Sequence, residues 1–265
     1  MNHALSIVSA LWVAMNLIIG VCLLIPVSII NCLVPFAVVS RGCFFLVDLI
    51  YRTAVRIDSF WMKKVVGINV VIKGEVNSHK SPVVICNHQS WFDIPLIQDV
   101  ITGNGHIVKF LIKRELVWVP IIGWICLALD FPRLSRSRDT NTGQSDFSLI
   151  RQASKEHGNE SGALLIFPEG TRFSEKKKKD QEAPYQHLLR PRAGGLTIIQ
   201  KHAKPDTPLI DITIDYHQQK VSIWNCLHGN PKQITITLEY YCLSEIEDMS
   251  NWLNERWAIK DKLFI

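Results

Sequence analysis

His88 and Asp93, in the segment Asn87-His-Gln-Ser-Trp-Phe-Asp93, are the residues of this 265-residue chain best placed by type and spacing to move a proton. A carboxylate bonded to one imidazole nitrogen sets the tautomer and stabilises the imidazolium, leaving the other nitrogen to take a proton from an alcohol. Residues five apart on one continuous helix diverge by about 140°. The pair can therefore meet only if His88 lies in a loop and Asp93 opens the helix that follows. Asp93 ahead of Pro95 has the character of a helix start, and the apolar run Pro82 to Cys86 before Asn87 reads as a buried strand. Taken alone, an HxxxxD spacing also suits an ordinary hydrogen-bonded loop histidine.

Phe167-Pro-Glu-Gly-Thr-Arg172 closes a second apolar run, Ala163 to Ile166. Gly170 admits a turn with positive φ, Glu169 can accept from hydroxyls, and Arg172 presents a fork that fits phosphate oxygens. With Thr171 between them, the group suits a phosphorylated polyol; a surface turn with a salt bridge is the competing reading. A third, looser group is Lys113-Arg-Glu-Leu-Val-Trp-Val-Pro120 with Gly123-Trp124, followed by Arg133, Arg136 and Arg138. Its phosphate reading depends on the other two. No GxSxG is present and Gly158 to Gly162 has the wrong spacing, so Ser90 is not expected to act as a nucleophile. Seven cysteines and nine histidines show no CxxC, HExxH or mixed cluster. Thiols that pack, with no metal and no cofactor, are the expectation.

These motifs need a frame. Beyond residue 66, β-branched runs at 68–72, 83–86, 107–112, 163–167, 209–214 and 234–240 read as strands, and 146–157 and 191–202 as helices, which together predict an α/β sheet. Ser244-Glu-Ile-Glu247 has the capping-box pattern, and Ile246, Met249, Leu253 and Trp257 follow at helical spacing as a core stripe. The charge run Glu175 to Asp180 reads as a solvated loop.

With 48% hydrophobic residues and a net charge of +5, the chain is not disordered. Its apolar residues are concentrated at the start: residues 1–40 contain no Lys, Arg, Asp or Glu. A spanning helix needs about 20 such residues, so this segment is expected to meet a bilayer. Pro26 and Pro35 predict a helix, a break and a second half-helix, with a hairpin in one leaflet as the alternative. A cleaved leader is disfavoured, because no basic residue precedes the run. Arg41, Arg52, Arg56, Lys63 and Lys64 follow it, which places the remainder on the cytoplasmic side. Residues 43–66 read either as an interfacial helix, with cations toward lipid phosphates and Phe60, Trp61 and Met62 toward acyl chains, or as an amphipathic cover for the domain's own core. The expected division is an anchor with an interfacial helix over 1–66 and a catalytic domain over 67–265.

In this order on one chain, NHxxxxD, the Lys113 to Arg138 block and FPEGTR resemble the lysophosphatidate acyltransferases (1-acylglycerol-3-phosphate O-acyltransferases), over roughly residues 80–215. Leu188-Leu-Arg-Pro-Arg-Ala-Gly-Gly195, Lys113-x-x-Leu116-x-x-x-Pro120-x-x-Gly123 and the tail from Trp252 to Lys262 are similar to the bacterial inner-membrane branch related to lysocardiolipin acyltransferases. The resemblance implies a glycerolphosphate-acyltransferase-like mixed sheet flanked by helices with a membrane-embedded N-terminal segment. It implies transfer of a fatty acyl group from acyl-CoA or acyl carrier protein to the sn-2 hydroxyl of a lysophospholipid at a phospholipid membrane. No nucleic-acid partner is expected. Carried over, His88 is the general base and Asp93 its partner, while Glu169, Gly170, Thr171 and Arg172 bind the glycerol phosphate with Lys113 as helper. Arg136 fits the family's second motif with Leu134 two before it, and Arg133 stands where Phe is usual, so both arginines are candidates for phosphate. Pro208-Leu-Ile-Asp211 keeps one of the two prolines of the family's fourth block. CoA-independent transacylation and a non-catalytic lipid-binding role are the competing functions.

Overall fold

The computed structural model describes residues 2–34, 36–75, 81–110, 112–113, 133–134, 162–218 and 220–264. Two helices come first: α1, Asn2–Leu33, and α2, Ala37–Phe60, joined by a short reversal. They run antiparallel. Asn16 donates to the Ala54 carbonyl at 2.9 Å, Ser40 to Asn31 at 2.9 Å near the reversal, and Trp61 to Ser9 at 3.0 Å at the opposite end, where Trp12 also stacks on Trp61. The break predicted at Pro26 is absent, because α1 runs through it. One missing backbone bond is a local loss, whereas ending the helix there would free several polar groups along an apolar surface. The expected break falls beside the other proline: α1 ends at Leu33 and α2 begins at Ala37, which gives the helix, break and second helix of the sequence reading as a hairpin. By length and composition, His3–Leu33, with mean hydropathy 2.6, could cross a membrane.

The expected partners of the basic flank also change. Arg52 donates to the carbonyls of Thr102 and Gly105, and Lys63 pairs with Asp99, which also accepts from Ser59. Met62 is buried in the domain core, while Phe60 stays exposed. The end of α2 thus serves as a cover for the domain, and a π-helical turn, Trp61–Val65, closes it with Val66 donating to the Trp61 carbonyl.

The sheet follows, in the order β1-β8-β7-β2-β6-β3, with β1 at Asn69–Lys73, β2 at Val83–Cys86, β3 at Val108–Phe110, β6 at Ala163–Ile166, β7 at Pro208–Asp215 and β8 at Gln233–Cys242. All neighbours pair in parallel except β7 with β8. The fold is the mixed α/β sheet expected. The predicted strand at 107–112 divides into β3 and a two-residue strand, β4 (Ile112–Lys113), which pairs with β5 (Arg133–Leu134). β2 and β6 are both internal strands, almost fully enclosed, which accounts for their unbroken apolar sequences.

Helix α3, Asp93–Gly103, covers one face, and α5, Gly194–His202, covers the other with α7, Met249–Asp261. The charge run expected as a loop is a one-turn-and-a-half helix, α4 (Glu175–Asp180), capped by Ser174. A second short helix, α6, spans Ile223–Cys226. The capping box at Ser244 to Glu247 does not form: Leu243–Glu245 is a 3₁₀ turn, and Asp248 caps α7 through the N–H groups of Ser250 and Asn251. Asp248 thereby satisfies two of the free N–H groups of the helix start from a single carboxylate oxygen. The stripe Ile246, Met249, Leu253 and Trp257 is core as predicted. The helix predicted at 146–157 lies outside the described residues.

α7 is fastened to β7 by charge. Lys260, fully buried, pairs with Asp211, donates to the Ile212 carbonyl at 2.7 Å and lies 4.5 Å from the Trp257 ring centre. Arg256 bridges Asp211 at 2.9 Å and Glu239 at 2.6 Å. Asp211→Ala leaves Lys260 buried without its counter-ion and is expected to destabilise by about 3–5 kcal/mol. Adding Lys260→Met should recover part of that loss in a thermal melt of the detergent-solubilised protein; failure to recover any would show that the pair does not carry the docking.

Candidate active site

β2 ends at Cys86, and the next side chain extends the sheet. Asn87 donates to the Ile214 carbonyl at 3.0 Å and accepts from its N–H at 2.8 Å, so a carboxamide continues the β2–β7 ladder after the main chain has turned away. Residues 87–92 form the loop that the spacing requires, and Asp93 is the first residue of α3. His88 Nδ1 then lies 2.8 Å from Asp93 Oδ2. The same oxygen accepts from the backbone N–H of Gln89 at 2.8 Å and Ser90 at 2.9 Å, while Oδ1 accepts from the Tyr216 hydroxyl at 2.5 Å.

Since Asp93 accepts, Nδ1 of a neutral His88 carries the proton and the lone pair sits on Nε2, which has no partner among the described residues. The His88 side chain keeps 12% of its surface exposed and Asp93 none, so the imidazole can be reached and its partner cannot. The ring stacks on Phe167 with centroids 3.9 Å apart, and this fixes its plane. Ser90 is buried and its hydroxyl accepts from the Phe92 N–H, consistent with its exclusion as a nucleophile.

The FPEGTR segment follows β6, the parallel neighbour of β2, and is stitched to the histidine loop at several points. Phe173 donates its N–H to the His88 carbonyl at 2.8 Å, and the Arg172 guanidinium lies 4.5 Å above the exposed Trp91 ring. Gly170 has φ +68, and a Cβ there would meet nothing within 4 Å, so the need for glycine is purely conformational. Arg172 is exposed and makes no ion pair among the described residues, so the salt-bridged turn is not what forms.

Glu169 departs from expectation. Its place in a polar turn predicts contact with substrate hydroxyls, yet it has no exposed surface, and its carboxyl oxygens accept from the backbone N–H of His88 at 3.2 Å and of Leu189 at 3.3 Å. It ties the His88 main chain to the segment ahead of α5. Leu189 and Arg192, whose N–H bonds the Pro168 carbonyl, are held against the turn in this way, which explains why α5 starts at Gly194 and not at Pro191. Burial pushes the Glu169 carboxyl up to about 8, against the opposing pull of those two N–H groups and of Lys260.

Lys177, from the charge run, donates to Thr171 Oγ1 at 2.7 Å and to the Arg172 carbonyl at 2.9 Å, so Thr171 is engaged within the turn. Lys113 is placed by β4, paired with Leu134 in β5, which sets the Lys113 and Arg133 segments side by side. Arg136 and Arg138 lie outside the described residues. A cavity of about 270 Å³ opens next to the dyad, walled by Gln89, Phe173, Lys178, His187, Tyr216 and Phe264. Tyr216, Asn87 and Lys177 were not assigned roles from sequence. Asn87 could have been, since it directly follows the apolar strand run and can extend its ladder through a carboxamide, but Tyr216 and Lys177 carry no local signal.

A family model described as Acyltransferase matches residues 67–215, more than half of the chain. The chain belongs to the acyltransferase family. It is 29% identical to an uncharacterized acyltransferase of Schizosaccharomyces pombe over 68% of its length, and 25% identical to the 1-acyl-sn-glycerol-3-phosphate acyltransferase epsilon of Mus musculus over 82%. Lysocardiolipin acyltransferase 1 of Mus musculus is 28% identical over 74%. The acyltransferase chain spans 58%, 67% and 57% of those three relatives, respectively. In fold it is similar to the crystal structure of the 1-acyl-sn-glycerophosphate (LPA) acyltransferase PlsC from Thermotoga maritima, with a TM-score of 0.65, 18% identity, and coverage of 99% of this chain and 97% of that one.

Glu169 carries a pH signature for this acyltransferase. Its folded value near 8 exceeds the ordinary 4.5, so its contribution to stability is complete below about 4.5 and is lost as pH rises through about 8. Glu169→Gln, which cannot ionise, should therefore show a shallower fall of Tm between about pH 5 and about pH 9 than the natural protein. Parallel curves would mean that Glu169 is ionised across that range.

Proposed function

We propose that the protein transfers a fatty acyl group from an acyl-CoA or acyl carrier protein thioester to the free sn-2 hydroxyl of lysophosphatidate or a related lysophospholipid. The observation that carries this reading is the 2.8 Å contact between His88 Nδ1 and Asp93, which leaves Nε2 available at the mouth of the loop pair. Nε2 takes the hydroxyl proton as the oxygen attacks the thioester carbonyl. The imidazolium, held by Asp93, returns that proton to the departing thiol as the tetrahedral intermediate collapses, and no acyl-enzyme forms. Arg172, exposed beside Trp91, is the phosphate contact, with Lys113 and either Arg133 or Arg136 as further candidates. Gly170 gives the turn its shape, whereas Glu169 and Thr171 act behind it through the bonds already described.

The N-terminal hairpin supports a membrane location. Leu33, Phe36, Val38, Phe44 and Phe45 at and near its reversal are each at least 65% exposed, an apolar surface that water does not favour. Ser6 donates to the Trp224 carbonyl and meets His228, and Lys63 just past α2 pairs with Asp99 of α3, so both ends of the hairpin rest on the domain that follows. Such a hairpin dips into the membrane by its tip and keeps the active site at the headgroup plane, on the cytoplasmic side. A single-chain substrate held in that plane reaches Nε2 without leaving the lipid.

Two variants test the assignment in a thioester-release assay with a panel of lysophospholipids. His88→Ala should lower kcat by about 10²–10⁴-fold with unchanged membrane association, and activity close to that of the natural protein would defeat the proposal. Arg172→Ala should raise KM for the lysolipid about tenfold and leave that for the thioester within a factor of about two, in line with loss of a charge-assisted contact. Equal loss toward both substrates would remove Arg172 from the phosphate site.

A further inference from the structure

Tyr216 is the residue of the site that no motif contains. It follows directly on β7, is 1% exposed, and belongs to the same core cluster as Phe92, Cys86 and Cys226. Its hydroxyl meets Asp93 Oδ1 at 2.5 Å, the oxygen that the histidine loop leaves untouched. The other three donors to Asp93 all fall on Oδ2 and all come from residues 88–90. A carboxylate held through one oxygen only can swing about its Cβ–Cγ bond, and its second oxygen would be buried without a donor. Tyr216 closes both gaps. Its own position is set by Asn87, whose carboxamide brackets Ile214 two residues earlier, on the same face of the strand.

Resting on the reading of His88 as base, we propose that Tyr216 is a positioning residue of the acyl transfer, orienting the Asp93 carboxylate and tempering its negative charge so that His88 is aimed and stays free to accept a proton. The phenol acts through Asp93 and need not touch substrate, although it also forms part of the wall of the adjoining cavity.

Asp215 and His217, paired at 3.0 Å, flank Tyr216 along the chain, and Glu175, Lys178 and His187 line the cavity that it borders. His88 faces Asp93 from the loop, Cys86 approaches from β2 and Cys226 from α6; burial first, then nearby carboxylates, raises both thiols, Cys226 to about 12. Glu169, on the far side of the His88 main chain, and the Asp211 and Lys260 charges felt at Cys86 are common to every variant considered. Burial, followed by the Asp93 charge, also raises the Tyr216 hydroxyl well above its ordinary value, so it donates at all working pH.

Removing the donor concentrates charge on Asp93 and favours the imidazolium. Tyr216→Phe should therefore lower kcat about tenfold, leave both KM values within about twofold, and move the acidic limb of the pH–rate profile to higher pH by about half a unit. Replacing Tyr216 by 3-fluorotyrosine, a stronger donor of nearly the same shape, should move that limb the other way, and it keeps the question open to measurement should the Phe variant fold poorly. In an Asp93→Asn background, Tyr216→Phe should cost nothing further in kcat. An unmoved acidic limb in both the Phe and fluorotyrosine proteins overturns the proposal, whatever happens to Tm, as does full additivity with Asp93→Asn. If His88→Ala retains activity, the base assignment fails and this role fails with it; if His88→Ala is inactive and Tyr216→Phe is unaltered, only the role of Tyr216 is lost.

Discussion

Asp93 is a carboxylate with no contact with solvent, and taking such a group out of water is tolerable only if protein donors replace the lost hydration. Four do so, and the demand they satisfy explains most of the local architecture. Three come from consecutive residues, which obliges the chain after β2 to wrap around the head of α3 in place of leaving the sheet directly. The fourth comes from Tyr216, beyond the end of β7, which obliges β7 to lie beside β2 with its end in register. The Asn87 side chain, bonded twice to Ile214, holds that register one residue past the last strand residue of β2. His88 is therefore not attached to a flexible loop: Asp93 is the hub on which the loop is wound.

The second half of the site depends on the sheet order. β2 and β6 are parallel neighbours, so the loops leaving their carboxyl ends emerge at the same edge even though about eighty residues separate them in sequence, the usual place for a site in an open α/β sheet. Once adjacent, they are joined by backbone bonds, by the Phe167 stack and by the Arg172–Trp91 contact. Glu169 adds a bond between the two loops that is costly to bury and hence specific, since either N–H left without it would be an orphan. A proton acceptor and an exposed guanidinium are thereby kept at a constant separation, as an alcohol and a phosphate on one glycerol backbone require on the proposed reading.

What could be read from sequence follows the range of the interactions. The strands, the loop position of His88, the helix start at Asp93 and the positive φ at Gly170 all follow from local rules of periodicity and turn chemistry, and each is present. The misassignments involve contacts with distant partners. Nothing near Glu169 in sequence announces that Leu189 will need an acceptor, so an acid in a polar turn was read as open to substrate. Lys177 looked solvated because Thr171 and the Arg172 carbonyl are reached only after α4 folds back. Tyr216 ends an alternating strand whose pairing with β2 is invisible in one sequence. At the N-terminus, Pro26 removes a single backbone bond, and the packing of α1 against α2 keeps the helix continuous through it.

The distribution of charge around the hairpin bears on what holds such a protein to lipid. Arg52 and Lys63, two of the five cations that follow the apolar run, are consumed by the carboxyl end and flank of α3. Arg41, Arg56 and Lys64 remain exposed. Each exposed cation near an anionic surface contributes about 1 kcal/mol, and salt screens that contribution within about 8–10 Å. Apolar transfer at about 25 cal/mol per Å² is not screened, and the side chains about the reversal expose several large apolar groups at once. On the proposed membrane reading, the apolar tip therefore sets the affinity and the cations set the tilt. On that reading, the Ser6 bond to the Trp224 carbonyl and the Lys63–Asp99 pair transmit that orientation to the domain, so that the depth of the hairpin and the height of His88 above the lipid plane become one geometric quantity.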